Sequence, residues 1–266
     1  MGRLDEAVMK VAPQLRVISK HGVGVDNIDL EAAAKHGIPV LVATGANAVS
    51  VAEHAIALLL ATVKRILPLD SGLRAGRWEK PGFSGSEIAG RTLALMGMGS
   101  IARATGRIAK GLGMELIGYD PFADDAAFTE LGVRRFASFE EMLEHSHVLS
   151  LHCPLNDHTR KILHADTIAR MPKGSYVINT ARGGLIDEDA LVAALRSGHL
   201  AGAGLDTVPD ARIARGGGEH HAHFLARLED MAHDFDPLIG PAGEHVQRRI
   251  VAEQFLDCCI DLVGRE

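Results

Sequence analysis

Met96-Gly97-Met98-Gly99-Ser100-Ile101-Ala102 is the stretch on which the reading of this chain turns. It follows an apolar run at 92–96 and opens a helical pattern at 100–112. Strand, two glycines and helix in that order form the spacing G-x-G-x-x-A. Gly97 permits a tight turn, Gly99 lets a diphosphate approach the backbone, and Ala102 lets the helix lie close on the strand. Ser100 and Ile101 supply the first N–H groups of that helix, which have no partners within it and sit at the positive end of its dipole. A glycine turn with no ligand is the plain alternative. The context outweighs it, because a second strand at 115–119 ends in Asp120. An acid there accepts hydrogen bonds from ribose hydroxyls and repels a 2′-phosphate, so NAD is expected over NADP.

The rest of the chain keeps the same rhythm. Further strands are expected at 16–19, 38–42, 147–151, 175–179 and 201–205. Helices are expected at 30–36, 138–144, 165–171 and 187–196. Near-continuous apolar strands separated by helices imply an α/β protein with a doubly wound parallel sheet covered on both faces. Ser50-Val51-Ala52-Glu53 and Ser138-Phe139-Glu140-Glu141 read as capping boxes. The first should open a helix that runs to Leu67 and stops at Pro68, followed by an irregular stretch from 70 to 90. The apolar stripe of that helix suits either its own sheet or a partner subunit. A last helix is expected over 247–263.

The 266 residues allow one large domain or two modest ones. A net charge of −6 disfavours a nonspecific nucleic-acid or anionic-membrane binder. Cys153, Cys258 and Cys259 give no disulfide framework, which fits a reducing, cytoplasmic setting. No apolar run is long enough to span a membrane. The opening Met1-Gly2-Arg3-Leu4-Asp5-Glu6 has no apolar core and does not read as a signal peptide.

Several further motifs resemble one family in content and order. They are 21–29 (His-Gly-Val-Gly-Val-Asp-Asn-Ile-Asp), Gly45-Ala46-Asn47 leading to Ser50-Val51-Ala52-Glu53-His54, and Gly76-Arg77-Trp78. After the glycine motif come His152-Cys153-Pro154-Leu155, Ile178-Asn179-Thr180-Ala181-Arg182-Gly183-Gly184 and Gly202-Ala203-Gly204-Leu205-Asp206. Together they resemble the D-isomer-specific 2-hydroxyacid dehydrogenases of the phosphoglycerate-dehydrogenase-like kind.

The resemblance implies reversible hydride transfer between NAD and the carbon bearing a 2-hydroxyl or 2-oxo group of a small acid. It implies a Rossmann-like NAD-binding domain at 47–240. A smaller, flavodoxin-like substrate domain would be built from 1–46 and 241–266, and the assembly would be a homodimer. Arg182 corresponds to the arginine that grips the substrate carboxylate and polarises its carbonyl. Val23, Gly24 and Asn47 would bind substrate. Cys153 and Pro154 would wall the cofactor, and Thr180 and Asp206 would border the nicotinamide. The bland readings are a loop arginine paired with Asp187, turn glycines, a buried apolar cysteine and a turn acid.

Two departures set further expectations. Only residues 4–11 precede the first strand, where the family has one or two more βα units, so the small domain is expected to be incomplete with an exposed sheet edge. Residues 208–240 do not follow the family pattern. Ala211-Arg212 stands where a Glu orients the catalytic histidine, and Pro237-Leu238-Ile239 stands where that histidine should be. His233 is the nearest histidine and becomes the candidate acid. Glu219, His220, His221 and His223 read as a solvated loop and not a metal site, because no rigid element gathers them. Familiar text on both sides of this segment also fits a compensated reading-frame slip at 211–236. The chain is therefore expected to bind NAD with little turnover, the alternative being a noncatalytic NAD-binding protein.

Overall fold

The computed structural model describes residues 2–20, 22, 24–78, 85–207 and 222–224, the last three as backbone. All fall within one compact unit, residues 1–225.

The glycine motif sits at the centre of the main sheet. β3 (Thr92–Met96) is buried along its whole length, and α5 (Ser100–Gly111) follows directly. β4 (Glu115–Tyr119), β6 (Val148–Leu151), β7 (Ser175–Asn179) and β8 (Leu200–Leu205) are parallel to it. A two-residue strand, β5 (Arg134–Arg135), closes one edge beside β4. A strand at Ala222–Phe224, β9, pairs in parallel with β8 at the other edge. The order across the sheet is β5-β4-β3-β6-β7-β8-β9. The direction of winding reverses between β3 and β6, and ligands of such sheets bind in the crevice at the strand ends there.

Both faces of the sheet are covered, which is why its strands are apolar at successive positions. Leu93, Leu95, Val148, Tyr176 and Ile178 face one core, with Leu58, Leu59 and Val63 of α3 (Ala48–Val63) and Phe128 of α6 (Asp125–Thr129). Ala94, Met96, Leu149, Leu151 and Val177 face the other. There they meet Phe139, Met142 and Leu143 of α7 (Phe139–Leu143), Ile168 of α8 (Ala165–Arg170) and Leu191 of α9 (Glu188–Arg196). The apolar stripe of α3 is thus spent on its own sheet.

A second, two-stranded parallel sheet joins β1 (Ile18–Lys20) to β2 (Val40–Val42). It has its own small core of Met9, Ile18, Ile28, Ala32, Ala33 and Ile38, built with α1 (Glu6–Lys10) and α2 (Leu30–Lys35). Leu41 and Val42 of β2 are exposed among the described residues.

Several expectations need correction. The helix expected from Ser50 begins at Ala48, one half-turn earlier, because Ala48 is itself buried. Ser50 therefore lies inside the helix and caps nothing; Asn47 holds the N-cap position without a side-chain hydrogen bond. The break comes before Pro68, at Arg65, whose φ of 53° is left-handed. A new helix, α4 (Ile66–Arg74), then takes up the start of the stretch expected to be irregular. Pro68 sits in its first turn, where its missing N–H costs no hydrogen bond. Of the second capping box only the half from Ser138 is found among the described residues: its Oγ accepts from Glu141 N at 3.1 Å and caps α7. The segment read as a loop from 215 to 223 contributes β9 at its end. The helix expected at 247–263 lies outside the described residues.

Leu149 is fully buried in the central strand of the second core. Replacing it with alanine should destabilise the fold by about 2–5 kcal/mol, read as a lower urea midpoint with an unchanged slope.

Candidate active site

The sharp turn after β3 brings three chain segments together. Gly97 has φ +93°, a left-handed conformation that favours glycine. Its N–H donates to Tyr119 O at 2.8 Å, which ties the ends of β3 and β4. A Cβ at this position would come within 3.0 Å of His152 O and 3.2 Å of Cys153 N. The backbone of 152–153 can lie there only because residue 97 has no side chain. Gly99 forms the N-cap of α5 without a side-chain cap, and the space beyond it is open. The N–H groups of Ser100 and Ile101 follow at that helix start, and Ala102 is fully buried against the sheet.

Asp120 closes β4. One carboxylate oxygen accepts from Met98 N at 2.8 Å, and the other from Phe122 N and Ala123 N at 2.9 and 3.2 Å. The acid thus clamps the glycine loop to the loop after β4 while lining a cleft. That cleft, about 510 Å³, also takes in Gly97, Gly99, Cys153 and Pro154.

A second cleft of about 790 Å³ lies beside it and shares His152, Cys153 and Pro154 as a common wall. Gly24, Asn47, Ile101, Thr180 and Arg182 line it. Thr180 Oγ1 is buried with no hydrogen-bond partner among the described residues. An uncapped helix start, open space at Gly99 and an orphaned hydroxyl in the second cleft fit a dinucleotide laid across the two clefts.

Arg182 follows the end of β7. Asn179 at that end braces the loop: its Oδ1 accepts from Ala181 N at 3.0 Å and its Nδ2 donates to Arg182 O at 2.9 Å. The guanidinium does not pair with Asp187, which instead accepts from Lys161 Nζ at 3.0 Å and caps α9. It forks onto Asp26, 156 residues away: Nε donates to Oδ2 at 2.9 Å and Nη2 to Oδ1 at 3.0 Å. This fork holds the Asp26 carboxyl below its usual range. Gly24 backs the same guanidinium so closely that a Cβ there would collide with it.

Of the remaining expected residues, Asp206 follows β8, donates its N–H to Asn179 O at 3.0 Å and stands 3.3 Å from His54 Nε2. It does not line either cleft. Val23 and His233 lie outside the described residues, as do Ala211 and the histidines at 220 and 221. Cys153 is enclosed beside Met96 Sδ at 3.8 Å, and burial pushes its thiol up to about 11. It is therefore a protonated wall and not a nucleophile.

Two participants went unassigned in the sequence. Asp26 lies within a quoted motif, yet nothing local pairs it with Arg182. His152 stands at the junction of the clefts, with Nε2 2.9 Å from Ser150 Oγ. Desolvation pushes it down to about 4, so it is neutral near pH 7.

Comparison with known proteins follows the same lines. Residues 56–225 match the family described as "D-isomer specific 2-hydroxyacid dehydrogenase, NAD binding domain". The chain belongs to this family. Its match places an NAD-binding domain of the D-2-hydroxyacid dehydrogenases on the seven-stranded sheet. The chain is 44% identical over 193 residues to D-3-phosphoglycerate dehydrogenase 2, chloroplastic, of Arabidopsis thaliana, covering 73% of this chain and 31% of that one. Among solved structures, a glyoxylate reductase from Paecilomyes thermophila superposes with a TM-score of 0.72 at 36% identity, covering 79% of this chain and 64% of that one. An NAD-dependent formate dehydrogenase from Staphylococcus aureus in complex with NAD gives 0.69 at 32% identity, covering 79% and 63%. The chain spans 31% to 46% of the length of the curated phosphoglycerate dehydrogenases it matches here.

Two tests follow from this geometry. Gly97→Val should abolish NAD binding in a fluorescence titration, because the side chain meets the backbone of 152–153 and the φ is strained. Below about pH 6.5 an unfolded His152 takes a proton that the folded chain refuses until about pH 4, so stability is lost as pH falls through that window. His152→Gln should flatten that slope when urea midpoints are compared at about pH 4.5 and about pH 7.5.

Proposed function

We propose that the chain is an NAD-dependent oxidoreductase acting on the CH–OH group of a small D-2-hydroxy acid, and in reverse reducing the 2-oxo acid. The observation that carries this is the position of Arg182, whose cation lines a cleft sharing one wall with the cleft of the glycine motif. The names of the curated relatives favour a phosphoglycerate-like acid. The comparisons lend no support to the noncatalytic alternative.

NAD supplies the hydride acceptor when bound. The start of α5 would hold its diphosphate, Asp120 the ribose hydroxyls and Thr180 the nicotinamide end, whereas Asp206, which lines neither cleft, loses the nicotinamide role that the resemblance gave it. Arg182 keeps one N–H on each terminal nitrogen beyond those given to Asp26 and Ala181 O. Those donors suit a carboxylate and the neighbouring carbonyl oxygen, which gains negative charge during reduction. Gly24, Val23 and Asn47 would complete the substrate contacts, and His233 would deliver the proton. We assign 47–240 to the NAD-binding domain and 1–46 with 241–266 to the substrate domain. Support for the first division is the separate small core of the two-stranded sheet.

A homodimer is supported by exposed Ile66, Leu73 and Trp78 in and after α4. The acidic net charge disfavours nucleic acid, and among the described residues no helix is long and apolar enough to cross a membrane. The few cysteines of the sequence, which offer no disulfide framework, suit the cytoplasm.

Steady-state reduction of a panel of 2-oxo acids by the purified chain with NADH tests the proposal. Arg182→Lys should lower kcat/KM by about 10–100-fold with NAD affinity unchanged, because an ammonium lacks the planar fork. No turnover with any small 2-oxo acid together with no binding of one to the NADH complex would overturn it, and turnover surviving His233→Ala would remove His233 as the acid. Asp120→Ala should weaken NAD about tenfold and narrow the gap to NADP. Equal affinity of the unaltered chain for both cofactors would remove that role of Asp120.

A further inference from the structure

We infer that Asp26 is a positioning residue for the reaction, aiming the guanidinium of Arg182 from the far side of the substrate cleft. The inference rests on the reading of Arg182 as the carboxylate-binding cation. An arginine side chain has four rotatable bonds, and a loop position leaves them free unless other groups hold the head. Here the head is held on three sides. Asp26 takes the edge formed by Nε and Nη2, Ala181 O accepts from Nη1 at 2.7 Å, and the bare backbone of Gly24 lies against the group. One N–H on each terminal nitrogen is left over, and Arg182 lines the cleft with Asn47 and Thr180.

The fork is also a bridge. Asp26 belongs to the segment between β1 and α2, while Arg182 stands at the end of β7 in the main sheet. The position of the cation thus depends on the small sheet as well as on the strand that carries it. Lys20, which donates to Asn27 Oδ1 at 3.0 Å, adds positive charge beside Asp26. Arg3, Asp29 and Glu31 line the same cleft and set its remaining charge.

The competing account makes Asp26 a stand-in for the substrate carboxylate, to be evicted on binding. The two accounts differ in sign. An evicted competitor, once removed, leaves a freer cation and tighter binding of an anion. A positioning group, once removed, leaves a wandering head and weaker binding, even though one negative charge has gone from the cleft. The edge occupied by Asp26 differs from the terminal N–H groups left for ligand, which favours positioning.

Oxamate, an inert isostere of a 2-oxo acid, is the probe. It is titrated into the full chain with NADH bound, for the unaltered protein and for Asp26→Asn, Asp26→Ala and Arg182→Ala. NADH affinity is measured alongside by fluorescence. Asp26→Asn keeps the size of the side chain but offers Arg182 one acceptor in place of two. Both Asp26 variants should weaken oxamate about tenfold or more, while NADH affinity stays within about twofold. Where turnover is measurable, the loss should fall on KM for the oxo acid and on kcat, with KM for NADH unchanged. Unchanged or tighter oxamate binding in Asp26→Ala would overturn the inference and favour the competitor account. Loss of both ligands in Asp26→Asn would also overturn it, showing a role in folding only. Oxamate binding that survives Arg182→Ala while Asp26→Ala still weakens it would instead remove the reading of Arg182.

Discussion

The backbone of Gly97 lies against the backbone of His152 and Cys153, and the site depends on that approach. The turn at Gly97 ends β3, ties it to Tyr119 at the end of β4, and points α5 along the sheet. The same turn lets the segment after β6 cross at residues 152–154 and form the wall between the two clefts. Any side chain at 97 would push the wall away and open the crevice where the winding of the sheet reverses. The two clefts are adjacent because these backbones touch.

Two residues of that wall are kept uncharged. His152 is neutral because burial disfavours the imidazolium, and Cys153 remains a thiol for the corresponding reason. The positive charge of Arg182 is balanced by Asp26 through a two-point fork. Attraction for an anion therefore comes from directed donors: the first N–H groups of α5, and the terminal N–H groups of Arg182. Directed donors in an enclosed space discriminate by geometry more than a diffuse positive field does. That division suits the proposed placing of a diphosphate in one cleft and a carboxylate in the next.

The central strands were legible in the sequence. β3, β4 and β7 have the bounds read from it, because strands covered on both faces are apolar along most of their length. The periphery was less legible. β5 is two arginines at an edge, held by stacking on Phe136 and Phe128, and nothing in the alternation of the sequence marks it. α3 starts before its capping signal because burial of Ala48 outweighs the hydroxyl of Ser50. Pro68 reads as a stop and proves to be in a first turn, since a proline restricts only what precedes it.

The sequence by itself determined the α/β class, the glycine turn, the acid at the end of β4 and the presence of Arg182 at a strand end. These are local facts, carried by spacing within one βα unit or by burial demanded of one strand. Tertiary structure decided what Arg182 touches, where Asp206 stands, and which histidine occupies the junction of the clefts. Those depend on contacts such as the one across 156 residues between Asp26 and Arg182. The physical reason is range. Backbone propensity and patterning act over a turn or a strand, whereas the partner of a long charged side chain is chosen by how the folded sheets bring distant loops together.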